Sequence, residues 1–407
     1  MAFTFIRINL VSLVILLCWF IAVDNTVAEV RNISATPAVA NGAVYFPSWN
    51  GYLYAVNAFN GTLIWKQNVG ELTGLPGTGT VVNVSVSRAT PTVAGNLFYS
   101  RNLWTCGGDC RLTVDWRACL TRRLTGAAIW GGIPAINIAR GIVYASTGNL
   151  YTAPPEVLRC PEAQNNQTRP SSPDQCIGPD VNFNSILAFD IGSGKIVWSK
   201  QLGGYDIFYF ACLVPNNPDC PPGPNLDADF GEALMLLSIF VNGTIRNLVV
   251  AVQKIGFAWA LDRDNGNIVW FKEAMKEEGH WGAATDGKRV YTNIANSNRE
   301  SFTLAPSTQT TTAGPITLAN GVLFSGSVAP NGPLYAMDAK TRTILWSFKT
   351  GATIYGGVSA SYGCIYLGNG YTVAPGTFHP SWTPQTSLYA SALHEVIVAS
   401  AKTFIKF

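Results

Sequence analysis

The sequence predicts an all-β fold of the propeller type, in which small antiparallel sheets repeat along the chain. The main observation is a hairpin pattern in which two apolar runs flank a polar turn, with a tryptophan ten positions after an alanine. An Asn-Gly or similar dipeptide between such runs is a strong hairpin signal, and its recurrence indicates a repeat architecture. The four copies are Ala55–Trp65, Ala188–Trp198, Ala260–Trp270 and Ala336–Trp346.

A second recurring unit predicts the inner strands of about seven blades. It consists of a small residue or proline, a short apolar strand, a glycine turn and an aromatic strand. Period-two alternation along these strands is what a sheet face packed on a neighbouring blade requires. The units begin at Thr36, Thr90, Ile133, Glu232, Gly282, Gly314 and Gly357.

Several blades are predicted to be incomplete. The segment 101–124 holds three cysteines and five arginines where a hairpin should follow, and near Thr312 the chain runs straight into the next unit. In the fourth hairpin, Arg342 occupies the turn position that is glycine in the other copies, so this turn must form without the residue that adopts positive φ most cheaply. We expect a propeller over 29–390 and an atypical tail over 391–407, with open blade edges that permit oligomers.

The composition excludes several functional classes. The net charge of +3 is not accompanied by a cluster of Lys and Arg, so nucleic-acid binding has no support. The three histidines lack metal-ligand spacing, and neither a G-x-S-x-G elbow nor a phosphate loop is present.

The first 28 residues resemble a signal peptide, which predicts a secreted, extracellular protein. Arg7 supplies the positive start, Ile8–Val23 the apolar core, and Thr26-Val27-Ala28 the small residues of a cleavage site. The alternative is an uncleaved membrane anchor, for which this apolar run is short. No later segment is apolar enough to cross a membrane, so no membrane association is expected after cleavage.

Glycosylation sequons agree with secretion, since N-x-[ST] sites are used only on that route. They lie at Asn32, Asn60, Asn83, Asn166 and Asn242.

The cysteines also agree with an oxidising compartment. Two close pairs lie in loops rich in Pro and Asn, and we expect the disulfides Cys160–Cys176 and Cys212–Cys220. Cys364 stands alone in a strand-like run, where a buried thiol is expected.

The tryptophan hairpins resemble the docking motif of pyrroloquinoline-quinone (PQQ) repeat propellers. Stretches such as FPSWNGYLYAVNAFNGTLIWKQN, DADFGEALM and AVQKIGFAWALDRDNGNIVW resemble the plant polyvinylalcohol dehydrogenase-like proteins of the quinoprotein group. This resemblance implies an eight-bladed quinoprotein-type propeller, of which the chain lacks a first blade region and two hairpins. It also implies an oxidoreductase that acts on alcohol groups of small molecules or polymers, with PQQ and calcium as cofactors.

The resemblance assigns three site residues. Trp130 matches the platform beneath the PQQ ring, although a tryptophan packed between blades is the alternative. Asn149 matches a calcium ligand through its amide oxygen, a suitable donor for Ca²⁺, but it also suits a turn after a strand. Lys254 matches the basic residue beside the quinone oxygens, where the alternative is a solvated surface lysine.

The resemblance fails at the general base. The position at which it implies a catalytic aspartate is occupied by Tyr209, and a tyrosine with an ordinary pKa near 10 accepts protons poorly at neutral pH. Asp206 could replace it only by reaching further. The acidic residues Asp227, Asp229 and Glu232 either bind calcium or form a solvated loop face. The sequence therefore leaves a second function open, a catalytically inactive extracellular propeller that binds a glycan, polymer or protein.

Overall fold

The computed structural model describes residues 32–73, 86–87, 90–94, 97–99, 127, 133–150, 181–203, 206–208, 212, 216–218, 220, 226–241, 243–273, 282–293, 303–304, 308–309, 314–371, 382–392 and 405–406. The chain divides into two compact units. The first unit comprises 1–93, 302–310 and 316–407, and the second unit comprises 94–301 and 311–315.

The described secondary structure is almost entirely strand, with one short helix α1 (Val69–Thr73) and a 3₁₀ turn at Ile138–Arg140. The strands in chain order are β1 (Ala38–Ala40), β2 (Ala43–Pro47), β3 (Tyr52–Asn57), β4 (Leu63–Asn68), β5 (Thr92–Ala94), β6 (Leu97–Tyr99), β7 (Ala135–Asn137), β8 (Ile142–Ser146), β9 (Ser185–Asp190), β10 (Ile196–Gln201), β11 (Met235–Val241), β12 (Thr244–Val252), β13 (Phe257–Asp262), β14 (Ile268–Glu273), β15 (Ala284–Thr285), β16 (Val290–Tyr291), β17 (Thr303–Leu304), β18 (Thr308–Gln309), β19 (Ile316–Ala319), β20 (Val322–Gly326), β21 (Pro333–Asp338), β22 (Ile344–Lys349), β23 (Val358–Ser361), β24 (Cys364–Gly368), β25 (Leu388–Ala392) and β26 (Ile405–Lys406).

Five four-stranded antiparallel sheets form the blades, and in each the strands are neighbours in chain order. Blade 1 is β1–β4, blade 2 is β7–β10, blade 3 is β11–β14, blade 4 is β19–β22 and blade 5 is β23–β26. Of the seven inner-strand units predicted from the sequence, the remaining two form the two-stranded pairs β5–β6 and β15–β16. The prediction of an all-β propeller fold built of repeated antiparallel blades is confirmed.

The four tryptophan hairpins form the outer strands of blades 1 to 4, as the repeat pattern predicts. Each contains a register shift near the turn, for example between Ala260 and Leu261 in blade 3. The turn glycine is left-handed, with φ of 73° at Gly266. Arg342 adopts the same region with φ of 65°, so blade 4 makes this turn without glycine.

In the first unit, blade 5 packs against blade 4 on one side and against blade 1 on the other. Tyr366 of β24 lies in one apolar cluster with Phe46 and Tyr54 of blade 1, and its hydroxyl donates to the carbonyl of Ala58 at 3.0 Å. The first and last blades are therefore joined although their residues lie more than 300 positions apart.

In the second unit, blade 2 packs against blade 3. Tyr144, Ile186 and Trp198 of blade 2 share a cluster with Val249 and Trp259 of blade 3. The opposite face of blade 3 carries a further cluster to which the short hairpin β15–β16 contributes. Because both faces of blade 3 are covered, strands β12 and β13 are buried over most of their length.

Candidate functional site

The candidate site lies in the second unit, where polar residues follow strands of blades 2 and 3. Asn149 comes shortly after β8 and Lys254 shortly after β12. They meet a loop that precedes β11 and contains Asp227 and Asp229. The short segment 206–208 lies beside them. We call Asn149, Lys254, Asp227, Asp229 and the segment 206–208 the acidic cluster.

Lys254 is a buried cation held between two carboxylates. Its residue is 8% exposed, and its ammonium group donates to Asp227 Oδ2 and lies 3.7 Å from Asp229 Oδ2. Its backbone N–H donates to the carbonyl of Asp229 at 2.7 Å. The ring of Phe208 lies 6.0 Å from the ammonium. The alternative that Lys254 is a solvated surface lysine is therefore wrong.

Asn149 is fixed by three hydrogen bonds. Its backbone N–H donates to Asp229 Oδ1 at 2.8 Å, and its Nδ2 donates to the carbonyls of Leu150 and Phe208 at 2.7 and 2.8 Å. Both amide protons are thus used, and the amide oxygen is the remaining group of the side chain. Gly148 is required here, because a Cβ at that position would meet Asp229 Oδ1 at 1.8 Å.

Asp206 organises the loop that carries the other carboxylates. Its residue is 1% exposed, and its Oδ2 accepts from Asn184 Nδ2 and from the N–H of Ala228, both at 2.8 Å. Its Oδ1 accepts from the N–H of Asp227 at 3.1 Å. Asp227 has a left-handed φ of 56°, which few non-glycine residues adopt, and these bonds hold it there.

The electrostatics favour protons on these carboxyl groups. Burial raises the pKa of Asp206 to about 6, against the effect of its hydrogen bonds. Burial also raises the pKa of Asp227 to about 7, while the ammonium of Lys254 lowers it in part and Asp229 raises it. Burial raises the pKa of Asp229 as well. Of the three, Asp227 is the most accessible, with 14% of its side chain exposed.

This arrangement can exchange a proton near neutral pH. A carboxyl group with a pKa close to the operating pH is the best general acid or base, and Asp227 combines such a pKa with access to solvent. The adjacent ammonium supplies a hydrogen-bond donor and a positive charge in a desolvated setting. Sequence reasoning did not assign Asp227 this role, because it did not place Asp227 beside Lys254.

The structure brings Asn149, Lys254 and Asp206 together through the loop that contains Asp227 and Asp229. Trp130 and Tyr209 lie outside the described residues. Glu232 is separate from the acidic cluster. It is buried, and its Oε1 accepts from the hydroxyl of Thr292 at 2.6 Å.

The cysteines give one confirmation and one correction. Cys212 and Cys220 form the predicted disulfide, with an S–S distance of 2.01 Å. Cys364 is buried, but it is disulfide-bonded rather than a thiol. The prediction failed because its partner is distant in sequence, so spacing could not reveal the pair. Cys160 and Cys176 lie outside the described residues.

Two of the sequons fall within the described residues. Asn60 is exposed at the turn between β3 and β4, whereas Asn32 is only 7% exposed. Asn83, Asn166 and Asn242 lie outside the described residues. Among the helices that the structure describes, none is long and apolar enough to cross a membrane.

Comparison with known proteins gives distant but extended similarity. The chain is 24% identical over 398 residues to a polyvinylalcohol dehydrogenase from Pseudomonas sp, covering 83% of this chain and 57% of the relative. It is 22% identical over 426 residues to a polyvinylalcohol dehydrogenase from Sphingopyxis sp. (strain 113P3), covering 88% and 60%. The quinohemoprotein alcohol dehydrogenase ADH IIB from Pseudomonas putida is 23% identical over 316 residues, covering 62% and 42%.

The chain thus spans about three fifths of the length of the two polyvinylalcohol dehydrogenases. No family model matches it. Among solved structures, a europium-containing methanol dehydrogenase matches with a TM-score of 0.47 and 14% identity, covering 82% of this chain and 74% of that one. The sequence similarity makes the chain a distant homologue of polyvinylalcohol and quinohemoprotein alcohol dehydrogenases.

Proposed function

We propose that this protein is a quinoprotein-like oxidoreductase that oxidises alcohol groups of a small molecule or polymer with PQQ as cofactor. Two observations support the proposal. The homologues are alcohol dehydrogenases of this type. The observation that carries it is the pair of Lys254 and Asp227, which joins a buried cation to a carboxyl group whose pKa burial raises to about 7.

The donor set of Lys254 fits a quinone oxygen. An ammonium group is a cation with N–H donors, and Asp227 and Asp229 hold this one in a buried position. Both properties suit a carbonyl oxygen of the cofactor that gains negative charge on reduction. The chemistry that PQQ supplies when bound is acceptance of a hydride, with its two electrons. Trp130 as the platform beneath the ring stays a prediction.

The described residues do not fit calcium. The amide oxygen of Asn149 is one suitable ligand. However, Asp227 and Asp229 are already matched with the ammonium of Lys254, and the described residues contain no group of three His, Cys, Asp or Glu side chains that could hold a metal. We therefore assign calcium no step, and Asn149 as its ligand stays a prediction.

In the proposed reaction the alcohol loses the proton of its oxygen and the hydride of its carbon. The carboxylate of Asp227 accepts the proton, since it is the accessible carboxylate of the acidic cluster. The ammonium of Lys254 stabilises negative charge that develops beside it. Asp206 acts through Asp227, because it holds the backbone N–H groups of Asp227 and Ala228. That Asp206 is itself the base stays a prediction. Both of its carboxylate oxygens already accept hydrogen bonds, which does not favour this role.

The experiment compares the wild type with Asp227→Asn for PQQ binding, measured by tryptophan fluorescence quenching, and for alcohol-dependent dye reduction. We expect binding to persist and kcat to fall by about 10²–10⁴-fold, because an amide cannot accept the proton. In the wild type, kcat/KM should rise as the pH passes about 7, where Asp227 ionises. The control is Asp264→Asn, which removes an exposed carboxylate.

The two parts of the proposal fail separately. Quenching without dye reduction at any pH would reject the catalytic role and favour a binding propeller. No quenching at saturating PQQ would reject the cofactor. Loss of quenching in Trp130→Ala would support the platform.

We also propose that the protein acts outside the cell after removal of residues 1–28. The disulfide of Cys212 with Cys220 supports this, because disulfides persist in oxidising compartments. The exposed sequon at Asn60 is consistent with it. Mass spectrometry of protein from the medium should find a mature start near Glu29 and a glycan on Asn60. Retention of Met1 would reject cleavage.

A further inference from the structure

The outer tryptophan of blade 2 shows how neighbouring blades dock. The indole of Trp198 donates to the carbonyl of Arg263 in the turn of blade 3 at 3.0 Å. Its ring lies flat against Gly266 of that turn, where a Cβ would meet Trp198 Cε3 at 2.6 Å. Gly266 is buried as a result, and Trp198 is only 9% exposed. Docking thus requires a tryptophan on one blade and a glycine in the turn of the next.

Among the described residues, no blade turn receives the tryptophan of blade 3. Trp270 is 37% exposed, and its indole N–H has no hydrogen-bond partner in the described part of the chain, unlike that of the equivalent Trp198. Its neighbours on β14, Val269 and Phe271, are each 40% exposed. A cavity of about 440 Å³ lies beside the indole and is edged by Arg246 and other polar residues. The outer face of blade 3 is therefore an open docking surface.

Blade 2 carries the turn of this motif, and none of the described tryptophans is bonded to it. Ile191 and Gly194 hold the positions of Arg263 and Gly266 in the repeat. Within the described ranges no hydrogen bond reaches the carbonyl of Ile191, and Gly194 is half-buried rather than buried. Gly194 keeps the left-handed φ of 68° and lacks the Cβ that would block an indole.

The turn of blade 4 provides a natural contrast. Arg342 occupies the glycine position there and is exposed. A side chain at this position is incompatible with a docked indole, as the close approach of Trp198 to Gly266 demonstrates. Of these two turns, only that of blade 2 can receive a tryptophan.

We infer that Trp270 of one molecule docks on the Asp190–Lys195 turn of a second copy. One chain presents the two halves of the docking motif on different blades of the second unit, so the contact is head-to-tail. Such a contact uses different surfaces on the two partners and builds either a closed ring or an open chain of molecules. Each surface also carries one positive and one negative side chain. Arg246 and Asp262 line the cavity, and Asp190 and Lys195 flank the turn.

The experiment measures the mass of the full chain by analytical ultracentrifugation over a range of concentrations. The wild type should associate, and Trp270→Ala and Gly194→Arg should each weaken association about 30-fold or more, as expected for a central tryptophan. Matched controls are Leu345→Ala, an exposed apolar residue on β22, and Gly287→Arg, a positive-φ glycine with nothing within 4 Å of its Cβ position. Neither control should change the association.

A mixture of the two variants provides the decisive test. Trp270→Ala keeps the turn and Gly194→Arg keeps the tryptophan, so together they form one intact contact. We expect a 1:1 heterodimer that neither variant forms alone and that grows no further. A monomeric wild type at 100 μM (about 10-fold above a 10 μM Kd) would overturn the inference. Association of Trp270→Ala as strong as that of the wild type would also overturn it.

Discussion

The four buried carboxyl groups that the structure describes in the second unit have a raised pKa, but they differ in their surroundings. Asp206 accepts three hydrogen bonds, and Asp227 and Asp229 face the ammonium of Lys254. Glu232 has a single bond, from Thr292, and its Oε2 has no partner among the described residues. Burial therefore raises the pKa of Glu232 to about 8, from an ordinary value of 4.5.

This pKa predicts how Glu232 affects stability. Because the folded-state pKa lies above the unfolded one, its stabilising contribution is complete below pH 4.5 and is lost as the pH rises through about 8. Glu232→Gln cannot ionise. We expect it to match the wild type at pH 4 and to exceed it by about 2–4 kcal/mol at pH 9.

Denaturant unfolding of both proteins between pH 4 and 9 checks this prediction, over the interval set by the pKa of about 8. The exposed Glu71→Gln serves as the control, and it should leave the pH dependence unchanged. Parallel curves for Glu232→Gln and the wild type would contradict the assignment of a buried proton to Glu232.

At the scale of elements, the outer hairpin is the unit that repeats, and its turn glycine has two separate tasks. One is the left-handed conformation, and the other is space for the indole of the preceding blade. Gly266 performs both, with φ of 73° and Trp198 against it. Gly243 performs only the first, with φ of 78° and nothing within 4 Å of its Cβ position. A comparison of substitutions at the two positions therefore distinguishes the cost of positive φ from the cost of lost packing.

We predict that Gly266→Ala destabilises the protein more than Gly243→Ala. Both variants carry the cost of positive φ, of about 1 kcal/mol. Only Gly266→Ala must also displace the Trp198 ring, which we expect to add about 1–3 kcal/mol. Thermal unfolding followed by tryptophan fluorescence measures the difference. Equal losses in the two variants would show that docking contributes nothing to stability.

The elements were predictable from the sequence because their signals are local. Each hairpin has its turn and its alternating strands within about a dozen residues, so four copies define the repeat. The acidic cluster was predictable only in part. Asn149, Asp206 and Lys254 were named through a resemblance, but their partners come from loops up to 80 positions away. The disulfide of Cys364 was missed for the same reason of distance.

At the scale of the whole molecule, the first unit depends on contacts between the two ends of the chain. The hydroxyl of Thr36 accepts from the N–H of Gly357 at 2.9 Å, across 321 positions. Tyr366 and Leu388 of blade 5 complete the apolar cluster of blade 1. Blade 1 therefore has no complete core until blade 5 is present.

We predict that a chain ending at Gly356 loses the structure of blade 1 and keeps that of blades 2 and 3. The cluster of blade 1 would lose Tyr366 and Leu388, whereas the cluster shared by blades 2 and 3 lies wholly within the second unit. Limited proteolysis with mass spectrometry should show early cleavage within 32–73 and late cleavage within 243–273. Equal protection of both ranges would contradict the prediction. Tyr366→Phe in the full chain is a milder control, expected to cost about 1 kcal/mol.

The contact between blade 1 and blade 5 cannot form until blade 5 has been synthesised. Thr36 leaves the ribosome 321 residues before Gly357, and chains grow at about 5–20 residues per second. For roughly 15–60 s the nascent protein therefore displays Phe46 and Tyr54 without the blade that buries them. During this interval the apolar surface is open to aggregation, and we expect chaperones that cover it to raise the yield of folded protein.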